Sequence, residues 1–210
     1  LRRLCGVCEW AVIVDAVTSP TKTELRAEIL TARRTLAPQR HHAEAHALCG
    51  HLPALISDGD TICAYVPVGS EPGSAELIDS LQRRRVRVLL PVARHDAAGL
   101  PVPLQWGEYR PGDLVQARFG LREPAEPWLP IDAIAAATVV LVPALAVDRT
   151  GVRLGRGAGF YDRSLPLAAP TAKLVAVVRD DELVERLPAE PHDVRMTHAL
   201  TPSGGLIALG

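Results

Sequence analysis

Four short runs in this chain are apolar almost from end to end: TICAYVPV (61–68), RVRVLLPV (85–92), ATVVLVPAL (137–145) and KLVAVV (173–178). A strand with one wet face alternates apolar and polar residues, and these runs largely do not. Strands buried on both faces read this way, and they belong to parallel sheets covered by helices. The stretches between them have helical spacing. After Ser19-Pro20, Thr21 and Glu24 are set as a capping box, and Leu25, Ile29 and Leu36 recur at helical intervals before Pro38. A second helix is predicted from about Gln39 to Leu55, with Leu48, Leu52 and Leu55 inward, a third from Ser74 to Arg84, and a short one over DDELVERLP (180–188). VPLQW (102–106) and GLIAL (205–209) are further candidate strands, the latter at an edge. The segment 109–130 is rich in proline and glycine and reads as loops with short extended pieces. The alternation predicts an α/β fold: a mainly parallel open sheet with helices on both faces, in one compact domain.

A chain of 210 residues, 48% of them hydrophobic, suits a single domain with a sizeable core. That domain is placed at residues 20–210. Residues 1–19 are expected to form a leader outside it. Arg2 and Arg3 followed by apolar residues are similar to the start of a signal peptide, but Glu9 and Asp15 interrupt the run and no clean cleavage site follows. No run reaches the roughly 18 apolar residues of a membrane span. The 23 basic and 24 acidic residues leave a net charge of −1, which excludes a chain-wide basic footprint for nucleic acid. Any bound anion must therefore be held by a local cluster. Cysteines at 5, 8, 49 and 63 are too few and too uneven for a disulfide framework, and the C-x-x-C at Cys5 and Cys8 lacks a second pair. A cytoplasmic, monomeric protein is expected, with small molecules as partners and neither nucleic acid nor membrane.

The local cluster is RLGRGAGFYDRSL (153–165), which begins eight residues after the 137–145 run. In open α/β sheets ligands bind beyond the carboxyl ends of strands, so the glycines stand where a site is expected. Glycine lets backbone N–H groups crowd an anion and reaches positive φ at low cost. FYDRSL can open a helix whose N-terminus favours negative charge. Arg153 and Arg156 add guanidinium forks suited to phosphate oxygens. Asp162 is a hard oxygen ligand of the type Mg²⁺ uses beside substrate phosphates. The stretch suits a Mg-nucleotide. It is neither a P-loop, since no G-K-[ST] follows, nor G-x-G-x-x-G, since Phe160 occupies the last glycine position.

VPALAVDRTGVRLGRGAGFYDRSL closely resembles the signature of 5-formyltetrahydrofolate cyclo-ligases, also called 5,10-methenyltetrahydrofolate synthetases. KTELR (22–26), YVPVGSEPGS (65–74) and FGLREP (119–124) resemble other segments of that family in the same order, so the likeness runs from about residue 20 to 201. The resemblance implies an α/β sheet fold and an ATP-dependent, Mg²⁺-assisted conversion of 5-formyltetrahydrofolate to 5,10-methenyltetrahydrofolate, ADP and phosphate. It implies that Lys22 and Arg26 reach the nucleotide phosphates, and that Arg153, Leu154, Gly155, Arg156, Gly157, Ala158, Gly159, Phe160 and Tyr161 form the ATP loop. Arg156 to Phe160 would also face the folate, together with Val66 and Glu71. Arg156 and Glu71 are the candidate catalytic residues, and Asp162 and Asp193 the candidate metal ligands. The family often has another Asp four residues after Asp193, where this chain has Thr197.

Two other readings stay open: a sugar-phosphate isomerase using the same anion loop without ATP, and a non-catalytic sensor of nucleotide or folate. His41, His42, His46, Cys49 and His51 cluster on the second predicted helix but lack a closing ligand, so a solvated helix face is expected rather than zinc. RRRVR (83–87) reads as a helix end and strand start. Trp106 and Phe119 read as apolar core before they read as pocket walls.

Overall fold

The computed structural model describes residues 20–117, 120–191 and 193–210. The leader with its C-x-x-C, and Phe119, lie outside the described residues. The helices are α1 (Lys22–Arg34), α2 (Pro38–His51), α3 (Ala75–Gln82) and α4 (Phe160–Ser164). The strands are β1 (Thr61–Cys63), β2 (Arg87–Val92), β3 (Gln105–Glu108), β4 (Leu114–Gln116), β5 (Arg122–Pro124) and β6 (Val139–Pro143). They continue with β7 (Ala146–Asp148), β8 (Arg153–Leu154), β9 (Lys173–Val177), β10 (Leu183–Val184), β11 (His198–Thr201) and β12 (Gly205–Ala208).

The main sheet runs β12-β11-β9-β6-β1-β2-β3. Its five central strands are mutually parallel, and β3 and β12 close the edges antiparallel. Along β6 the side chains divide by parity. Val139 and Leu141 join Leu48 of α2, Leu52 just after it, and Leu77, Ile78 and Leu81 of α3. Val140 and Val142 join Trp106, Ile134 and Leu165 on the opposite face. Both faces are therefore covered, and that is why the runs lack alternation. Burying each Val or Leu contributes about 1.5–3 kcal/mol. The cover is asymmetric: α2 and α3 on one face, the 3₁₀ segments Ile131–Ala136 and Leu165–Leu167 with short α4 on the other. Trp106 is wholly buried in that second core.

Three local expectations give way. β1 covers only the first three residues of TICAYVPV, because the chain then leaves the sheet while staying buried through Tyr65. DDELVERLP is a 3₁₀ turn, Asp180–Glu182, followed by β10 rather than a helix. An isolated helical nucleus is costly, and Leu183–Val184 instead pairs in parallel with Val147–Asp148. The second helix ends at His51, with Leu52–Ala54 as 3₁₀. α1 carries the expected capping box between Thr21 and Glu24. Its Leu25, Ile29 and Leu30 pack on a separate three-stranded sheet, β10-β7-β8, and not on the main one.

Candidate active site

β1, β6 and β9 are neighbours in the sheet and parallel, so their carboxyl ends open on one edge. β1 leads to the loop bearing Glu71. β6 leads, through the β7–β8 hairpin, to the glycine stretch. β9 leads to Arg179. A site at this edge is the expected one for an open α/β sheet.

The hairpin is built on Asp148, which is fully buried. Its Oδ1 accepts from the Thr150 amide at 2.8 Å, the Thr150 hydroxyl at 2.8 Å and the Val152 amide at 2.9 Å. Its Oδ2 accepts from the Leu187 amide at 2.9 Å. This carboxylate fixes the turn that delivers β8 and the glycines. Leu154 is buried in the α1 core, and the next carbonyl, Gly155, accepts from Arg26 Nε at 2.9 Å. Gly157 and Gly159 have φ of +96° and +80°, a region that side-chain-bearing residues rarely adopt. Gly159 then caps α4, which starts at Phe160. The half-buried Phe160 ring meets His95 edge-on, centroids 5.2 Å apart.

The two arginines of the loop are not equivalent. Arg153 is tucked in: it pairs with Asp162, lies 5.7 Å from the centre of the Tyr161 ring and reaches the Pro143 carbonyl at 3.4 Å. Arg156 keeps half of its side chain in solvent, and its Nε lies 3.2 Å from Glu71 Oε1. Glu71 is 8% exposed. Burial pushes its pKa up; a hydrogen bond from the Val68 amide and the charges of Arg156 and Arg33 oppose that shift without cancelling it. Among the described residues the buried Tyr161 hydroxyl has no hydrogen-bond partner, and burial, with Glu71 nearby, raises its pKa. Val66 is half-buried beside the β1 core.

Lys22 and Arg26 share one face of α1, as i, i+4 spacing requires. Arg26 meets the glycine loop, while Lys22 Nζ lies 3.0 Å from Asp193 Oδ2 and 3.3 Å from Glu190 Oε1. The two candidate metal ligands are thus engaged by different cations, Asp162 by Arg153 and Asp193 by Lys22. Among the described residues no three His, Cys, Asp or Glu side chains gather as a metal cage. Mg²⁺ keeps several waters and commonly takes one or two carboxylates plus substrate phosphates. These residues fit an ion that arrives with a nucleotide better than a preformed site. Thr197 is part of the sheet's own bonding. Its hydroxyl accepts from the Leu174 amide at 2.9 Å and donates to the Leu174 carbonyl at 3.2 Å, joining β11 to β9.

Sequence reasoning missed a buried ionic network behind Glu71. Arg33 grips Glu182 with Nε at 2.6 Å and Nη2 at 2.7 Å. Arg179 reaches Glu44 at 2.8 Å and Glu182 at 3.5 Å. One signal was available: Arg33 follows Ile29 at the inward i+4 spacing of α1. The histidine cluster only partly forms the solvated face expected of it. His42 and His46 are exposed, yet His41 Nε2 lies 3.1 Å from the Glu71 carbonyl oxygen.

Fold and site define an α/β protein whose site lies at the carboxyl edge of a parallel sheet, with a glycine loop facing a buried carboxyl. The sequence model of the 5-formyltetrahydrofolate cyclo-ligase family matches residues 18–202. A 5-formyltetrahydrofolate cyclo-ligase of Mycolicibacterium smegmatis is 62% identical over 189 residues, 90% of this chain and 97% of that one. The Escherichia coli K12 protein of the same name is 30% identical over 177 residues, 81% of this chain and 94% of that one. The NMR structure of Aquifex aeolicus 5,10-methenyltetrahydrofolate synthetase is similar in fold, with a TM-score of 0.71 at 24% identity, covering 89% of this chain and 92% of that one. The chain belongs to the 5-formyltetrahydrofolate cyclo-ligase family.

Proposed function

We propose that this chain converts 5-formyltetrahydrofolate and ATP to 5,10-methenyltetrahydrofolate, ADP and phosphate. Family membership supports the reading. The observation that carries it to particular residues is the approach of Arg156, on the glycine loop, to Glu71, on the loop after β1. A phosphate-suited loop and a carboxyl suited to pterin N–H donors then share one cleft.

The chemistry needs little from the protein beyond placement. A formyl oxygen is a poor leaving group. It attacks the γ-phosphorus, the bond to ADP breaks, and the formyl carbon becomes iminium-like. N10 of the folate attacks that carbon and gives up its proton, and phosphate departs with the former formyl oxygen, carrying that proton away or leaving it to solvent. Such phosphoryl transfer is served by positioning and charge neutralisation. In this reading Lys22, Arg26 and the loop from Arg153 to Tyr161 hold the triphosphate. Arg156 balances charge where phosphoryl and formyl groups meet, and Glu71 with the backbone at Val66 orients the pterin. Asp162, with Asp193 as a second candidate, would hold Mg²⁺, which neutralises phosphate charge when bound.

The reading includes a cytoplasmic, monomeric enzyme without a nucleic-acid partner. The net charge of −1 supports the last point. The free Cys49 and Cys63 accord with a reducing compartment. Among the described residues no helix is long and apolar enough to cross a membrane. The test mixes protein, Mg-ATP and 5-formyltetrahydrofolate and follows the absorbance of the methenyl product alongside ADP. Equal amounts of product and ADP are expected. Binding of both ligands without product would turn the assignment to a sensor; turnover of a sugar phosphate without ADP or metal would turn it to an isomerase.

A further inference from the structure

The Glu71 loop is held in an unusual way. Three consecutive carbonyls accept from side chains on α2, on the segment after β9 and on the segment just after β1: Ser70 from Arg179 Nη1 at 3.1 Å, Glu71 from His41 Nε2 at 3.1 Å, and Pro72 from the Tyr65 hydroxyl at 2.8 Å. Within the loop, the Glu71 amide bonds to the Val68 carbonyl at 3.2 Å, and the Val68 amide bonds to Glu71 Oε2 at 3.0 Å. A carboxyl this buried gains free energy by swinging out to water. Something must oppose that motion, and the three ties act on the backbone that carries the group.

Arg179 is the tie with the deepest root. Its side chain is 4% exposed, and it stands just beyond the carboxyl end of β9. Its Nε is committed to Glu44 of α2, while Nη1 faces both Ser70 and Glu182. Glu182 in turn accepts from the Arg179 amide at 2.8 Å and holds Arg33 of α1. Two buried arginines balance two carboxylates, so the Ser70 contact is not required to neutralise charge. His41 and Glu44 lie three residues apart on one face of α2, so that helix braces the loop once directly and once through Arg179. A lysine carries the charge but not the fork that serves three acceptors in different directions.

We propose that Arg179 is a positioning residue for Glu71: through Ser70 it keeps the Glu71 carboxyl turned toward Arg156 and away from solvent. The proposal rests on the folate cyclo-ligase reading for its kinetic consequences but not for its structural ones. The hydrogen bonds and ion pairs of Arg179 go to Glu44, Ser70 and Glu182, and among the described residues none goes to Lys22, Arg26 or the glycine loop, so its loss acts on the folate side of the site and spares the nucleotide side.

The experiment compares wild type, Arg179→Lys, His41→Ala, Glu71→Gln and the double variant Arg179→Lys/Glu71→Gln. Steady-state KM is measured for each substrate, with hydrogen exchange across residues 66–74. Arg179→Lys should raise the KM for 5-formyltetrahydrofolate about tenfold, as for loss of a charged hydrogen bond. The KM for ATP should stay within about twofold, the ordinary limit of non-additivity. On the Glu71→Gln background the same substitution should cost less than about twofold, because its effect passes through Glu71. Exchange should quicken across 66–74 and not elsewhere. His41→Ala, which leaves the buried ions alone, should show the same pattern more weakly. Parallel rises in both KM values, an equal cost on both backgrounds, or unchanged exchange at 66–74 would overturn the proposal. So would an Arg179→Lys chain that fails to fold together with an inert His41→Ala. Wild type that makes no methenyl product sinks the folate reading alone, and the exchange data then decide the positioning role.

Discussion

Arg156 Nε and Glu71 Oε1 lie 3.2 Å apart, although 85 positions (156 − 71) separate them in the chain. The pair joins an arginine half in solvent to a carboxyl nearly closed off from it. A half-exposed ion pair of this kind contributes about 1 kcal/mol or less to stability, so its worth lies in what it can face.

Arg156→Ala should therefore lower kcat about a hundredfold, as loss of one charge-stabilising donor does, while the melting temperature moves by no more than a few degrees. Product absorbance and thermal unfolding measure the two effects. An unchanged rate would remove Arg156 from the mechanism.

Glu71 makes a pH prediction. Its folded-state pKa is raised above the ordinary value of 4.5, chiefly by burial. The folded state then holds this proton more tightly than the unfolded one. Its contribution to stability is fully present below pH 4.5 and is lost as pH rises through the folded pKa. Glu71→Gln should thus gain stability relative to wild type as pH climbs from acid to neutral, then level off. Melting curves against pH report the sign; a variant that loses stability relative to wild type as pH rises contradicts it. Activity should fall in the same variant, since the neutral amide cannot supply the carboxylate that pterin donors favour.

Asp148 touches none of the proposed ligand groups, yet the glycine loop depends on it. Asp148→Ala leaves the buried amides of Val152 and Leu187 without their acceptor and should cost about 3 kcal/mol. Urea unfolding measures the loss. A cost within experimental scatter would show that the hairpin holds without this carboxylate.

Asp162→Asn should raise the Mg²⁺ concentration needed for half-maximal rate, since the residue is a proposed metal ligand. It also frees Arg153 from its ion pair. Titration of Mg²⁺ at fixed ATP separates the variant from wild type. Full activity at low Mg²⁺ would assign Asp162 to the Arg153 pair alone.

Much of the architecture is legible locally. ATVVLVPAL and KLVAVV are strands because both faces of each are buried, and burial is written in composition. The Thr21–Glu24 capping box and the positive-φ glycines are local too, since each depends on neighbours a few residues away. The limits of TICAYVPV were not legible, because Ala64 and Tyr65 stay apolar for burial after the chain has left the sheet. Nor was β10, whose two residues are a strand only because β7 lies alongside them. The likeness to a folate cyclo-ligase rests on ordered motifs, and these also singled out Arg156 and Glu71 without showing that they meet.

Sequence alone thus determined the class of fold, the family and the residues from which a site could be made. Tertiary structure decided which partner each charge meets. Arg153 and Arg156 read alike as letters, yet one is folded against Asp162 and Tyr161 and the other is left opposite Glu71. Arg179 carries no local mark of burial, and Arg33 only its i+4 spacing from Ile29, yet both prove to be buried. The physical reason is one of range: strand burial, caps and glycine turns are set by nearby residues, whereas the worth of a charge depends on partners brought within a few ångströms from distant parts of the chain.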